Sequence, residues 1–353
     1  MQTDVLIIGS GIAGATAALR LSEDKERRIT VLTRAGKATE SKSHYAQGGI
    51  VGRGREDTAD LLIEDVHRAG DGLCYPPAVE ILAEEGPKVV GEVLIEGANV
   101  PFDRDDSGNL EFGLEGAHSQ RRILHVGDMA GKAIMQALIG QLRDRPNIEL
   151  RTDHTAVDLV TSPHHALDPM AVYEPMACHG AYVYDQDQKK TRTILAGNTI
   201  LATGGLGQIF LNTSNPGGAR GDGLGMAVRA GARVQNAEYV QFHPTAVHMP
   251  GVTKFLISEA VRGEGGVLLS PEGEPFMQRY DPEWKDLAPR DVVSRAIYWE
   301  MLENGYSHVL LDISSKKSPD AIRARCPGLH ARCLDLGVDI TDRPIPVVPA
   351  AHY

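Results

Sequence analysis

The chain is short of cysteines, aromatic residues and positive charge. Its four cysteines match neither a CxxC metal site nor the framework of a disulfide-rich secreted domain. With 36 basic against 47 acidic residues and only 5% aromatic residues, the chain lacks the basic, aromatic-bearing face that binds nucleic acid. The histidines between positions 154 and 179 are irregularly spaced, at His154, His164, His165 and His179. These shortages predict free thiols, no bound metal and no nucleic acid partner.

Long hydrophobic runs are also missing. No stretch of 18 or more apolar residues is present, and Met1–Ile8 is too short for a secretory signal and is followed at once by a glycine turn. The sequence therefore predicts a cytoplasmic protein without a membrane partner. At 353 residues, with 42% hydrophobic and 24% charged residues, the chain can fold as two globular domains.

The N-terminus carries a glycine-rich turn between an apolar strand and a helix. The strand Asp4–Ile8 leads into the turn Gly9–Gly14, which reads GSGIAG, and a second strand is predicted over Ile29–Leu32. In such a unit the first glycine allows the tight turn, the second lets the backbone approach a pyrophosphate and the third allows close helix packing. The pattern predicts a dinucleotide site at the start of the helix.

FAD fits this pattern better than NAD. The acidic residue expected after the second strand is missing, since Leu32 is followed by Thr33 and Arg34. Two further glycine pairs, Gly48–Gly49 and Gly204–Gly205, allow backbone to lie against a flat ring or a phosphate.

The remaining pattern predicts an α/β fold. Helical spacing of apolar residues is found at 60–68, 79–94 and 128–142, and alternation near 150–198 predicts a β-meander before a strand that ends at Gly204. The composition changes after Asn236, where Pro, His and Gly punctuate short helices, and this change predicts a domain boundary there.

Cationic and imidazole side chains near turns mark the last third of the chain. They are His243, Arg262, Arg290 and His352. In a chain of net charge −11, their gathering predicts an anionic substrate. A helix is predicted over 255–262, with Ser258 and Arg262 on one face. A second helix is predicted to begin at Pro289, where a cation such as Arg290 opposes the helix dipole by about 0.3–1 kcal/mol. Stability alone therefore does not favour Arg290 there, and the alternative is that the neighbouring Asp291 offsets this cost.

Nine segments in one order carry a family resemblance: DVLIIGSGIAG, SHYAQGGI, EGAHSQRRILH, ATGG, RGDG, EYVQFHPT, FLISEAVRGEG, LAPRDVVSRAI and PVVPAAHY. With them the chain resembles the succinate dehydrogenase/fumarate reductase flavoprotein superfamily, and within it the L-aspartate oxidases. The resemblance implies a Rossmann-like FAD-binding domain at 1–236 with an inserted α+β capping domain at 237–347, and the start of a return to the first domain at 348–353. Family members continue past the last motif into a C-terminal helical domain that is absent from this sequence.

The resemblance also implies a set of FAD-binding residues and a noncovalent attachment. Membrane-bound relatives attach FAD through a histidine four positions before the alanine of AQGG, and that position here is Lys42, whereas His44 is out of register. The residues implied to bind the cofactor are Gly9, Ser10, Gly11, Ile12, Ala13, Gly14, Arg34, Ser43, His44, Tyr45, Ala46, Gln47, Gly48, Gly49, Gly204 and Asp222.

Substrate residues follow from the same resemblance. Glu115 stands where aspartate oxidases have a carboxylate and dicarboxylate dehydrogenases a neutral segment, so it is expected to select the ammonium of L-aspartate. Arg290 is implied as the catalytic proton-transfer residue, His243 and His352 as catalytic and substrate-binding residues, and Ser258 as a substrate-binding residue.

The implied reaction is FAD-dependent oxidation of L-aspartate to iminoaspartate with oxygen or fumarate as acceptor. It is the first step of de novo NAD biosynthesis through quinolinate, with quinolinate synthase as a partner. Two alternatives stay open, a soluble fumarate reductase or succinate oxidase with noncovalent FAD, and a flavin-binding fragment without activity.

Overall fold

The protein is described here by a computed structural model that covers residues 1–115, 117–127, 129–162, 166–251 and 254–352. Its contacts divide the chain into two units. Unit 1 consists of Met1–Gly204 and Asp222–Arg233, and unit 2 consists of Gly205–Gly221 and Val234–Tyr353. The segment 205–221 thus belongs to unit 2, although the sequence placed it in the first domain. The predicted domain boundaries at 236 and 347 stay predictions.

Unit 1 contains two sheets. Its strands are β1 (Gln2–Ile8), β2 (Ile29–Leu32), β3 (Ile50–Val51), β4 (Phe112–Gly113), β5 (Ile123–Leu124), β6 (Ile148–Arg151), β7 (His154–Ser162), β8 (Ala177–Asp185) and β9 (Lys190–Leu201). The larger sheet has the order β6-β2-β1-β9-β8-β7, and the smaller has the order β3-β5-β4. Strands β6, β2, β1 and β9 run parallel, and the rest of the larger sheet is antiparallel. The two central strands of the parallel part are buried on both faces, β2 along its whole length and β1 from Val5 to Ile8, as a sheet covered by helices requires.

The predicted meander and the predicted returning strand are joined in one element. The first half of β9 pairs antiparallel with β8, and its second half pairs parallel with β1, from Gln2 opposite Leu195 to Ile8 opposite Leu201. The strand therefore ends at the same edge of the sheet as β1, next to the glycine turn. His164 and His165 lie outside the described residues.

The helices of unit 1 pack against its two sheets and against one another. They are α1 (Ile12–Leu21), α2 (Ala59–Ala69), α3 (Pro76–Val90), α4 (Ala130–Arg143) and α5 (Asp222–Arg229). The three predicted helices correspond to α2, to α3 with the π-helical turn Gly91–Gly97, and to α4; Asp128, the predicted start of the last one, lies outside the described residues. One stripe of α4 is buried, including Met135, Leu138 and Leu142, which is the spacing of an amphipathic helix.

Unit 2 is built on a four-stranded antiparallel sheet. Its elements are β10 (Phe242–Val247), α6 (Ala260–Gly263), β11 (Val267–Leu269), α7 (Met277–Tyr280), α8 (Arg290–Asn304), β12 (Val309–Asp312), α9 (Pro319–Arg325), α10 (Pro327–Asp335) and β13 (Ile345–Ala351). The strand order is β10-β13-β12-β11. Helix α8 begins after Pro289, which is its N-cap, and ends at Gly305 with φ 70°. Proline at the start and a left-handed glycine at the end explain why the sequence predicts this helix well.

Candidate functional site

The glycine turn of unit 1 has the geometry of a phosphate-binding turn. Gly9 has φ 117°, and a Cβ placed there would lie 2.1 Å from the carbonyl oxygen of Ala202. A Cβ on Gly14 would lie 1.9 Å from the carbonyl oxygen of Gly9, so strand and helix touch through backbone alone. Around Gly11 there is space, since its Cβ would meet nothing nearer than Ser43 Oγ at 3.5 Å. The first and third glycines thus build the turn, and the second leaves room for a ligand.

The start of α1 leaves donors for an anion. Its N-cap is Gly11, which has no side chain of its own to cap the helix. Ser43 Oγ accepts from the backbone N of Ile12 at 3.3 Å, which places the Lys42–Tyr45 segment beside the turn. The hydroxyl of Ser10 donates to the carbonyl of Ala38 at 2.7 Å and so stabilises the turn from within. A helix N-terminus of this kind binds phosphate through its backbone N–H groups.

The segment that follows the turn supplies a flat, glycine-lined surface. Lys42–Tyr45 forms a 3₁₀ turn capped by Ser41, and its last hydroxyl, on Tyr45, donates to Glu40 at 2.8 Å. Nδ1 of His44 is buried and has no partner among the described residues. Gly48 and Gly49 follow and are exposed. An orphaned buried ring nitrogen beside bare backbone fits a bound cofactor better than a closed core.

Two more predicted cofactor residues of unit 1 adjoin each other. Arg34 Nη1 lies 3.5 Å from Asp222 Oδ2, which starts α5, although the two are 188 positions apart in sequence. Gly204 has φ 73°, and a Cβ there would meet nothing within 4 Å. The structure thus brings together the phosphate turn, the 43–49 segment and the Arg34–Asp222 pair in unit 1, and their open glycines fit FAD.

Glu115 lies at the second glycine pair. Its Oε1 accepts from the backbone N of Gly49 at 3.4 Å, and a Cβ on Gly48 would approach the same oxygen at 2.9 Å. The residue is in the turn between β4 and β5, and it is exposed. The predicted selectivity residue therefore stands beside the predicted flavin-binding backbone. Gly116, the next residue, lies outside the described residues.

A buried ion cluster behind that turn escapes prediction from the sequence. Arg122 is fully buried and pairs with Asp57 and Asp65. Arg122 is 65 positions from Asp57 and 57 positions from Asp65, so no local sequence pattern connects the arginine to its partners. The one available signal is that an arginine directly precedes the apolar Ile123–Leu124 strand, where a buried cation needs a partner.

The two predicted histidines of unit 2 meet at the end of β13. The rings of His243 and His352 lie 5.8 Å apart, and His243 is 3% exposed. Nδ1 of His243 accepts from the backbone N of Thr245 at 3.3 Å, and Nδ1 of His352 lies 2.7 Å from Ser214 Oγ. The accepted backbone bond assigns the proton of a neutral His243 to Nε2. The Ser214 segment adds a residue that the sequence reasoning missed.

Arg290 shares a carboxylate with Arg262. Arg290 Nε donates to Glu259 Oε1 at 2.5 Å, and Nη2 of Arg262 lies 3.3 Å from the same oxygen. Nη1 of Arg262 donates to the carbonyl of Asp286 at 2.5 Å, and the side chain is only 4% exposed, so burial lowers the pKa of Arg262 although Glu259 raises it. Arg290 is 41% exposed, and its terminal nitrogens have no hydrogen bond to other described residues. Of the two arginines, Arg290 is the one available to a ligand.

The predicted helix over 255–262 is wrong in its first half. The helix α6 covers only Ala260–Gly263, and Ser258 precedes it. Ile257 N donates to Thr245 O at 2.9 Å and Val247 N donates to Phe255 O at 3.0 Å, so this segment is extended along β10. Tertiary pairing overrides the helical spacing, and Ser258 and Arg262 do not share a helix face.

Other predictions concern metals, thiols and membranes. All four cysteines are free, as predicted. Among the described residues, no group of three His, Cys, Asp or Glu side chains is arranged to hold a metal ion. Within the same part of the chain, no helix has the length and apolar character needed to cross a membrane.

Comparison with known proteins decides the family. The family described as "FAD binding domain" matches residues 4–353. The chain belongs to this family of FAD-binding proteins. The predicted cofactor and the predicted relationship to the succinate dehydrogenase/fumarate reductase flavoproteins are thereby confirmed.

Two curated relatives of the family are similar along the whole chain. "L-aspartate oxidase 1" of Ralstonia nicotianae is 47% identical over 356 residues, and "L-aspartate oxidase" of Pseudomonas aeruginosa is 45% identical over 360 residues. Each alignment covers 100% of this chain and 64% of the relative. The chain thus spans just under two thirds of the length of these FAD-binding relatives.

Solved structures of the family have the same fold. A mutant of E. coli quinol fumarate reductase superposes with a TM-score of 0.86 at 26% identity, covering 100% of this chain and 60% of the other. Mycobacterium smegmatis Sdh1 superposes with a TM-score of 0.85 at 31% identity, covering 100% and 59%. The α/β fold with a Rossmann-like FAD-binding domain is confirmed.

Proposed function

We propose that the chain is the FAD- and substrate-binding portion of an enzyme that oxidises L-aspartate to iminoaspartate. Oxygen or fumarate serves as the electron acceptor. The observation that carries the proposal is the carboxylate of Glu115 beside the glycine pair Gly48–Gly49. The relatives at 45–47% identity support it, since both are named L-aspartate oxidases.

The residues of unit 2 fit the two carboxylates of the substrate. His243, whose Nδ1 is already an acceptor, has its Nε2–H as the hydrogen-bond donor. Arg290 supplies a permanently charged guanidinium, and His352 and Ser258 complete the proposed set of carboxylate ligands. The role of each of these residues comes from the family resemblance and is part of the proposal.

The reaction removes two electrons and two hydrogens from aspartate. The Cα–H bond breaks, its hydride leaves, and a proton is lost from nitrogen as the C=N bond of iminoaspartate forms. FAD, when bound, supplies the hydride acceptor. The residues of the chain hold the substrate and accept or deliver protons, and Arg290 is proposed to transfer a proton in the fumarate direction, with Glu259 fixing its Nε.

Glu115 distinguishes this function from succinate oxidation. A unit charge pair 4 Å apart is worth about 1 kcal/mol in bulk water and about 4 kcal/mol near a protein surface. The ammonium of aspartate gains this energy against Glu115, whereas succinate has no cation to pair with it and only carboxylates that Glu115 repels. The arrangement therefore favours an amino dicarboxylate over a plain dicarboxylate.

Anaerobic flavin bleaching tests the proposal. The FAD-reconstituted chain is mixed with L-aspartate or with succinate, and loss of flavin absorbance is followed. We expect bleaching by aspartate, and we expect Glu115→Gln to weaken aspartate selectively. The matched control is Glu111→Gln, an exposed acid of the same hairpin. Bleaching by succinate alone would contradict the proposal and favour the fumarate reductase alternative.

Cofactor retention tests the remaining parts. Noncovalent attachment predicts that acid precipitation releases all FAD into the supernatant, because Lys42 stands at the position of the attaching histidine. A chain that elutes colourless from gel filtration after reconstitution favours the inactive-fragment alternative. Transfer of iminoaspartate to quinolinate synthase and a cytoplasmic location remain part of the proposal.

A further inference from the structure

Arg122 is the most deeply buried cation described in unit 1. Its side chain is 0% exposed, and Nε and Nη2 donate to the two carboxylate oxygens of Asp57 at 3.0 and 2.7 Å. Nη1 donates to Asp65 Oδ2 at 2.6 Å. A guanidinium held by a bidentate carboxylate and a second carboxylate has a fixed plane and orientation.

The same Asp65 oxygen holds the turn that carries Glu115. Oδ2 accepts from the backbone N of Ser119 at 2.8 Å and from its hydroxyl at 2.9 Å. Burial alone would raise the pKa of Asp65, but the hydrogen bonds from Ser119 and Arg122 hold that pKa below its usual value. The carboxylate therefore stays ionised and ties the turn to helix α2.

Arg122 also contacts His118 on the same turn. Its Nη1 lies 3.1 Å from Nδ1 of His118. A guanidinium has only N–H donors, so Nδ1 must be the acceptor and the proton of the ring must be on Nε2. The backbone N of His118 lies 3.3 Å from the carbonyl of Glu115, so ring and carboxylate belong to one compact turn.

Both ends of the turn are anchored beside this cluster. Arg122 N donates to the carbonyl of Gly113 at 3.2 Å, and Gly52 N donates to the carbonyl of Arg122 at 2.7 Å. The guanidinium, the two aspartates and the strand pairing thus all restrain the hairpin. Because the cluster is buried, it would position the hairpin without contacting a ligand itself.

We propose that Arg122 is the positioning residue of the substrate-selecting turn, because its contacts with Asp57, Asp65 and His118 fix Glu115 and hold His118 in the Nε2–H tautomer. The turn then presents a carboxylate and a neutral N–H donor, a pair that matches the ammonium and a carboxylate of an amino dicarboxylate. This inference rests on the proposed function, in which Glu115 selects the substrate.

Two variants test it in the FAD-reconstituted full chain. Arg122→Lys keeps the charge but loses the fork, and Ser119→Ala removes one contact to Asp65 without disturbing the buried arginine. The control is Arg68→Gln, since Arg68 also pairs with Asp65 but is an exposed residue of α2 rather than of the turn. We expect KM for aspartate to rise about tenfold or more in Arg122→Lys, with kcat changed less than about threefold, and a smaller rise in the same direction in Ser119→Ala. The control should match the unsubstituted chain.

The tautomer gives a readout that does not depend on activity. In ¹⁵N-histidine-labelled protein, the signals of His118 are assigned by their loss in His118→Gln. We expect an Nε2–H pattern in the unsubstituted chain and in the Arg68→Gln control, and a mixed pattern in Arg122→Lys. An unchanged tautomer in Arg122→Lys, or an unchanged preference for aspartate in both variants while Glu115→Gln abolishes it, overturns the proposal.

Failure of the proposed function is distinguishable from failure of this inference. If Glu115→Gln leaves the preference for aspartate unchanged, Glu115 is not the selecting residue, and the positioning role falls with it. The tautomer of His118 in Arg122→Lys then still reports whether the described contact exists in solution. If Arg122→Lys does not fold, Ser119→Ala decides the kinetic part on its own.

Discussion

Two glycine-to-alanine changes three positions apart in the same turn, Gly14→Ala and Gly11→Ala, should affect different properties. In Gly14→Ala the new Cβ would lie 1.9 Å from the carbonyl oxygen of Gly9, far inside any allowed contact. Gly9 cannot move away easily, because its own Cβ position is closed by Ala202 at 2.1 Å. Backbone must shift against backbone, so we expect the free energy of unfolding to fall by about 3 kcal/mol or more.

In Gly11→Ala the new methyl group has room in the cofactor-free protein. The nearest atom is Ser43 Oγ at 3.5 Å, and Gly11 has φ −65°, which alanine adopts freely. Loss of glycine at an N-cap costs about 0.5–1 kcal/mol, and the smaller entropy of the unfolded chain returns about 0.4–1 kcal/mol. The apoprotein should therefore keep its stability within about 0.5 kcal/mol.

The affinity for FAD, in contrast, should fall in Gly11→Ala. A methyl group on Gly11 occupies the space into which a pyrophosphate would approach the helix N-terminus, and one or two hydrogen bonds to a charged group are worth about 2–3 kcal/mol. We expect the affinity of Gly11→Ala for FAD to fall about a hundredfold. Urea unfolding of the apoprotein measures the first quantity, and flavin fluorescence titration measures the second. A Gly11→Ala protein that binds FAD normally, or one as unstable as Gly14→Ala, would refute the reasoning.

Three further predictions concern titratable groups. Burial lowers the pKa of Lys42 to about 8, so the charged side chain opposes folding below that pH. Lys42→Met should therefore raise the urea midpoint of the apoprotein at pH 7. The difference in midpoint between the variant and the unsubstituted chain should shrink by pH 10. Burial raises the pKa of the Cys333 thiol to about 11, so alkylation followed by mass spectrometry should show Cys333 unmodified at pH 8 in the folded chain and modified in urea. Hydrogen bonds from the Gly127 backbone N–H and from His125 hold the pKa of Asp103 below its usual value of 3.8. The ionised Asp103 therefore stabilises the fold above the unfolded pKa, and this stabilisation is lost as the pH falls through the folded pKa. Asp103→Asn should lower the urea midpoint at pH 7 and have less effect at pH 2.5.

The sequence predicts the elements whose causes are local. The turn at Gly9–Gly14 and the ends of α8 at Pro289 and Gly305 are correct because glycine allows, and proline fixes, a particular backbone conformation at its own position. The helix predicted around Ser258 is wrong because the bonds from Ile257 and Phe255 to β10 come from residues about ten positions away. The spacing of apolar residues within a segment does not show that the segment pairs with another strand.

In unit 2, a candidate site residue can be predicted from the sequence where its residue type carries its own chemistry. His243 and His352 could be identified by their type and neighbours, and their rings do approach each other in unit 2. Their fixing contacts, from Thr245 and Ser214, could not be identified, because a hydroxyl or a backbone amide is common everywhere in a sequence. The same holds for Asp57 and Asp65, which gain their meaning only through the fold.

The three buried or half-buried arginines of the two units show why residue type alone does not assign a role. Each guanidinium has five N–H donors. Among the described contacts, Arg122 directs donors to two aspartates and a histidine, and Arg262 directs donors to Glu259 and the carbonyl of Asp286 while its side chain remains 4% exposed. Arg290 uses only Nε within the described protein and is 41% exposed, so its terminal donors remain for an external carboxylate. The donors already engaged, rather than the charge, therefore distinguish an arginine that holds protein groups in place from one with donors left for the proposed substrate.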